Sequence, residues 1–401
     1  MEPRSRSELT RREFVAGAGQ FPGMSRMRLT VVAAVLASGT ACKDEAPAAS
    51  TATAACMDET LGVCKVADAG IRHITLSRAG ANGLAVDSVS GRVYVVINGA
   101  TSPWCGDVGN LTPGLSIVDP VAGKELLIAP TAEGPVWPLV DTKRGKVYVA
   151  GSGGIGTVAV QHPATGVIEK SILLGGRPHD LGLDPAGSLL LVSNTFDKTQ
   201  TWISLVNLDS GVVAANIQVP DLPHKVVVDN MARIGYVVSL GAGQITEVDL
   251  KTGAKLREIS SGPIPQTSAM VYSPLRKRLY VAKTAGSTPS NGNTVVAVDV
   301  ATGNVVATAG TFTPASSVPT RAWGGFGLDD ANGLLYAAMA NSNMVAVVDV
   351  ATMKPAAVFN VDACPWAVAL DVPRGVGYVS SNQSAALTMF DLRKVMQAIG
   401  R

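Results

Sequence analysis

The chain has 401 residues, 47% of them hydrophobic and 16% charged, with a formal net charge of +2. That composition provides apolar material for a large core, and its interleaved acids and bases exclude the basic footprint of a nucleic-acid-binding protein. Forty-two glycines and 23 prolines spread along the chain point to many short strands and tight turns.

Residues 1–42 read as an export signal region, set aside from fold reasoning. The stretch LTRREFVAGAG, Leu9 to Gly19, resembles a twin-arginine signal: Thr10, the pair Arg11-Arg12, a spacer, then Phe14 and Val15. Met24 to Cys42 has a basic start, an apolar core from Leu29 to Leu36 and small residues up to Cys42. It resembles a lipoprotein signal, with Gly39 where a leucine is usual. Either the twin-arginine segment is used or translation starts at Met24. Both routes lead to the periplasm or cell surface, with lipidation of Cys42 as the only membrane contact. The apolar run is too short for an ordinary spanning helix. Residues 43–70 read as a flexible tether, because KDEAPAASTATAA cannot build a core. With Cys42 lipidated, Cys56, Cys64, Cys105 and Cys364 remain, and an even number in an exported protein reads as two disulfides. Cys56 with Cys64 would close a small loop in the tether.

From residue 71 onward the sequence repeats. Seven anchors, Asp87, Asp141, Asp184, Asp229, Ser273, Asp329 and Asp371, are each followed seven residues later by Tyr94, Tyr148, Leu191, Tyr236, Tyr280, Tyr336 or Tyr378. A second anchor closes a further apolar alternation in each copy: Asp119, Gln161, Asn207, Asp249, Asp299, Asp349 and Asp391. Alternation of period two predicts half-buried strands. Each unit then reads as strand A, a turn, strand B, a variable loop, strand C, a turn and strand D. The fold class is therefore all-β, a seven-bladed β-propeller of four-stranded antiparallel blades over residues 71–401. KVMQAIGR is a poor outer strand for the seventh unit, whereas IRHITLSR, Ile71 to Arg78, alternates without a blade of its own. It is expected to supply that outer strand and close the ring. Closure makes blades 1 and 7 neighbours and puts Cys105 and Cys364 on one face, within reach of a disulfide.

Cores such as GRVYVV and GKVYVA, with a repeat end TGNVVAT, resemble the YVTN family of bacterial propellers. The resemblance covers residues 71 to 392. It implies an exported seven-bladed propeller, often surface-associated, with ligands near the central channel. It does not imply one activity.

The anchor acids read as turn chemistry: Asp caps backbone amides, and Gly91, Gly145, Gly333 and Gly375 follow at the fourth position for a positive φ. The residue five before each anchor opens the innermost strand: Asn82, Val136, His179, His224, Ser268, Gly324 and Trp366, with Trp137 and Trp323 beside them. Asn82, Trp137, His179, His224, Trp323 and Trp366 are the candidate ligand-binding residues at the channel mouth. His179 and His224, in RPHD and LPHK, could share a metal, since imidazole nitrogen suits copper, zinc or iron. Hydrogen bonding to linker backbone is the plainer role for both, with Asp180 turned away. Trp366 and Trp104, each beside a cysteine, either wall a pocket or pack on a disulfide. No Gly-x-Ser-x-Gly elbow precedes a helix, and GSGGIG, Gly151 to Gly156, lacks the lysine and helix of a phosphate loop. The expected function is an exported binding or scaffold protein presenting its loop face to a protein, glycan or small molecule. It is expected to be a monomer, with no cofactor and no nucleic acid. The alternative is a periplasmic oxidoreductase subunit or lyase using a metal or redox cofactor on His179 and His224.

Overall fold

Each repeat folds into a sheet because its alternating valines, leucines and tyrosines present an apolar row to either neighbouring blade, with turn residues between the rows. A computed structural model describes residues 57–58, 62–99, 105, 108–109, 111–195, 201–240, 242–261, 269–283, 294–309 and 322–401. In it, seven sheets carry the four-stranded antiparallel pattern, and the chain is a seven-bladed propeller. Blade 3 is typical: strand A Pro178–Asp184, B Leu189–Asn194, C Trp202–Asn207 and D Val212–Gln218. The tyrosine position of every strand B is at most 3% exposed, so these side chains form the core between blades.

The seventh blade is completed from the other end of the chain. Pro365–Asp371, Val376–Ser381 and Ala386–Asp391 are its strands A to C, and Arg72–Thr75 pairs antiparallel with the third as its outer strand. KVMQAIGR is not a strand: Leu392–Ala398 is a helix, with the Asp391 carboxylate accepting from the Arg393 and Lys394 amides. Residues just before the closing strand also do more than tether. Val63–Lys65 lies parallel to the outer strand of blade 6, Lys354–Asn360, and pairs on its other side with Met57–Asp58. Cys64 is buried and disulfide-bonded. Cys56 and the lipidation residue Cys42 lie outside the described residues.

Cys105 and Cys364 form a disulfide with Cα atoms 5.7 Å apart, joining blade 1 to blade 7 across the closure. Chain-entropy reasoning assigns about 5 kcal/mol to so long a loop. Trp366 packs on this disulfide with Ala340; Trp104 lies outside the described residues.

Six of the seven A–B turns show the anchor chemistry, whereas Asp371 of blade 7 caps no amide and binds the Arg374 guanidinium at 2.7 Å instead. Asp87, Asp141, Asp184, Asp229 and Asp329 each accept from backbone amides two or three residues on, and Ser273 Oγ accepts from the Arg276 amide. The fourth position has a positive φ in all seven turns. Glycine takes it in four, and Ser188, Arg233 and Lys277 take it in the others. Two anchors also bind a cation from the next blade. Arg233 of blade 4 reaches Asp184 of blade 3 at 2.7 Å, and Lys277 of blade 5 reaches Asp229 of blade 4 at 3.4 Å. Arg374 of blade 7 donates to the Ser88 and Val89 carbonyls of blade 1. The anchors therefore tie blades together as well as shaping turns.

Candidate functional site

Strand A of each blade runs beside the central channel, and its first residues break the period-two alternation. Pairing in blade 3 passes from Pro178–Asn194 to Leu181–Val192, which leaves one extra residue in strand A. An irregularity occurs at the same place in blades 1, 2, 4, 6 and 7; the start of blade 5 lies outside the described residues. Such a bulge releases backbone groups from the ladder and re-aims side chains. The preceding blade uses the released carbonyls: Asn98 donates to Pro135 O at 2.7 Å, Ser193 to His224 O at 2.5 Å, Thr195 to Pro223 O and Ser380 to Asn82 O.

The candidate mouth residues divide sharply. Asn82 is 8% exposed, and its side-chain oxygen accepts from Asn382 at 2.9 Å, so it serves the joint between blades 7 and 1. The side chain of Trp323 lies outside the described residues, as does Ser268. His179 and His224 do come together. Their rings stack 3.9 Å apart with 35° between planes, at the joint of blades 3 and 4. A shared metal would be met by in-plane lone pairs, whereas these rings touch through their faces. Among the described residues no group of three His, Cys, Asp or Glu side chains is placed to hold a metal. Burial holds His224 down to about 3, with Lys225 adding to the effect. Burial, then His224 and Lys225, hold His179 well below the ordinary histidine value. Both are neutral at physiological pH.

The residues immediately after these positions build the channel. Asp180 is not turned away: its Oδ2 accepts from the Val226 amide at 2.8 Å and faces the Lys225 ammonium at 3.2 Å. Lys225 also stands 3.4 Å over the Trp137 ring, the distance of a strong cation–π contact. Lys225, Asp180 and Trp137 are each 6% exposed. The indole extends from blade 2 across the axis, and glycines of the adjoining blade 1 and of blade 6 leave room for it. A Cβ on Gly83 of blade 1 would stand 2.6 Å from the ring, and one on Gly325 of blade 6 3.1 Å from it. Small residues at this level are therefore the counterpart of one large one.

Beyond the indole, towards the A–B turns, lies a cavity of about 300 Å³ to which all seven blades contribute. Apart from Lys225 and Asp180 its side chains are apolar, including Leu84, Met270, Phe326, Leu328 and Leu370, while polar atoms, those of the backbone counted, make up somewhat more than half of the exposed wall. Further down strand A, Val86, Val140, Leu183, Val228, Leu328 and Leu370 are all half-buried, so solvent reaches this end. The channel is thus a funnel lined mainly by apolar side chains, open on the A–B turn side and closed at the other end by an indole and one buried ion pair. Val89, Met231 and Leu275, in the turns around that opening, are 74%, 88% and 70% exposed.

Trp137 was among the sequence candidates; Lys225 was not. The signal was present, because Lys225 and Asp180 each follow a Pro-His pair, but without the bulge one residue's offset sends the side chain to the opposite face. Comparison with protein-family models finds no match for this chain. A search of curated proteins finds none either.

His179 is buried and His224 half-buried, and both make stability pH-dependent. An unfolded histidine takes up a proton near pH 6.5, while His224 in the fold resists until about pH 3. Stability is therefore full above pH 6.5 and falls as the pH drops towards 3, by up to about 1.4 kcal/mol per unit for each histidine. Urea unfolding at pH 7.5 and pH 5 should show His224→Gln losing up to about 2 kcal/mol less than the unmodified protein over that interval. Equal losses would show that His224 protonates freely in the folded state.

Proposed function

We propose that the protein is an exported, non-catalytic binding propeller of the YVTN type that takes a small ligand into its central channel from the A–B turn side. The observation that carries this reading is the funnel itself. Its volume lies at the lower end of small-molecule sites, and its mainly apolar side chains surround a few convergent polar groups, as is usual in such sites. This reading places the site at the continuation of the channel mouth, deeper along strand A, because Asn82 and His179 face joints between blades. Support for export is the pair of signal-like segments before Cys42 together with the disulfide. The YVTN type rests on the repeat sequences and the seven blades. For the alternative, chemistry on His179 and His224, the stacked and shielded imidazoles offer no support.

The neutral apolar dye N-phenyl-1-naphthylamine should bind saturably, one molecule per chain, with increased fluorescence. Leu370→Arg, which places a cation in the funnel wall, should weaken it at least tenfold while leaving circular dichroism unchanged. Absence of saturable binding by the unmodified protein would refute the channel reading. Lipid anchoring is tested separately: Cys42→Ser should move the protein from the membrane to the soluble fraction, and unchanged fractionation would sink the lipoprotein assignment.

A further inference from the structure

The closed end of the funnel also restricts what its ligand can be. An ammonium has three N–H bonds. Among the described residues the partners of Lys225 Nζ are Asp180 Oδ2 and the face of Trp137, so one N–H is left for a ligand. Lys225 is more than nine-tenths buried and lines the cavity, so that N–H has little access to bulk water.

The charge is already balanced. Asp180 compensates the ammonium at 3.2 Å, so a second anion entering the cavity would bring an unpaired charge among apolar side chains. A second cation would meet Lys225 directly. A neutral oxygen can accept the remaining N–H at no such cost, and a hydroxyl can in addition donate towards the Asp180 carboxylate. The rest of the molecule must be apolar to match Leu84, Met270, Phe326, Leu328, Val368 and Leu370.

From this geometry we infer that the channel binds a neutral, apolar molecule bearing one terminal hydroxyl or carbonyl oxygen, inserted head first so that the oxygen meets Lys225. The inference rests on the proposed channel site and adds the chemical class and orientation of its ligand. Trp137 serves as a positioning residue, because its ring fixes the ammonium from the side opposite the open end. The small residues Gly83 and Gly325 keep the indole in place.

The test is competition against N-phenyl-1-naphthylamine by three molecules of one chain length: 1-decanol, 2-decanone and decanoate at pH 8. With the unmodified protein, 1-decanol and 2-decanone should each displace the dye at least tenfold more tightly than decanoate. Removing either charge alone leaves its partner buried and unpaired, so the variant is the double substitution Lys225→Met with Asp180→Leu. This variant should still bind the dye, with the preference for the oxygen-bearing neutral heads over a plain alkyl competitor, decane, reduced at least tenfold. Decanoate binding as tightly as the alcohol, or head-group preferences unchanged in the double variant, would overturn the ligand class while leaving the channel site intact. Failure of the unmodified protein to bind the dye would remove the channel site, and the ligand class with it.

Discussion

Ring closure is the constraint on which everything else depends. Each blade has two apolar faces, and only a neighbour on either side can cover both, so blade 7 must meet blade 1. Four kinds of contact fasten that one joint at different radii. At the rim, Arg72–Thr75 hydrogen-bonds to Ala386–Met389 and leaves no open edge on blade 7. On one face stands the Cys105–Cys364 disulfide. Near the axis, Asn382 and Ser380 of blade 7 bind Asn82 of blade 1. On the opposite face, Arg374 binds the Ser88 and Val89 carbonyls. The channel exists because this joint is made.

Closure also explains why the channel is asymmetric. Seven inner strands around one axis leave room at each level for only part of what seven side chains could fill. At the level just below the strand A bulges, the space goes to Trp137, Asp180 and Lys225, and Gly83, Gly325 and Ala367 stay small. The ion pair is worth little as a source of stability, since desolvating both charges offsets their attraction. What it provides is a single charged point at the closed end of the funnel. The same bulges that aim these three side chains inwards free the carbonyls that bind one blade to the next, so site and scaffold share their backbone geometry.

The fold was legible in the sequence because it depends on local, repeated chemistry. Asp anchors, glycines with positive φ and the strand B tyrosines recur at fixed spacing, and even the closing strand stood out as an alternation without a blade. Turns without glycine were harder: Ser188, Arg233 and Lys277 take the same positive φ with nothing in their type to announce it. The inter-blade reach of Arg233 and Lys277 depends on spatial neighbours 49 and 48 residues away in sequence, which spacing alone does not reveal. The site was half legible. His179 and His224 drew the eye as rare residues, yet a one-residue bulge hands the channel to Asp180 and Lys225 beside them. A bulge has no residue signature here, because prolines precede it in blades 2, 3, 4 and 7 but alanines in blades 1 and 6.

A channel lined mainly by apolar side chains and open on the A–B turn side can be tested without knowing its natural ligand. Xenon occupies apolar cavities and avoids hydrated ones. A crystal of the protein pressurised with xenon should show a xenon peak between Trp137 and Leu370, against Leu84, Met270 and Leu328. A channel filled by ordered water with no xenon, or one in which the indole lies away from the axis and the cavity is gone, would contradict it.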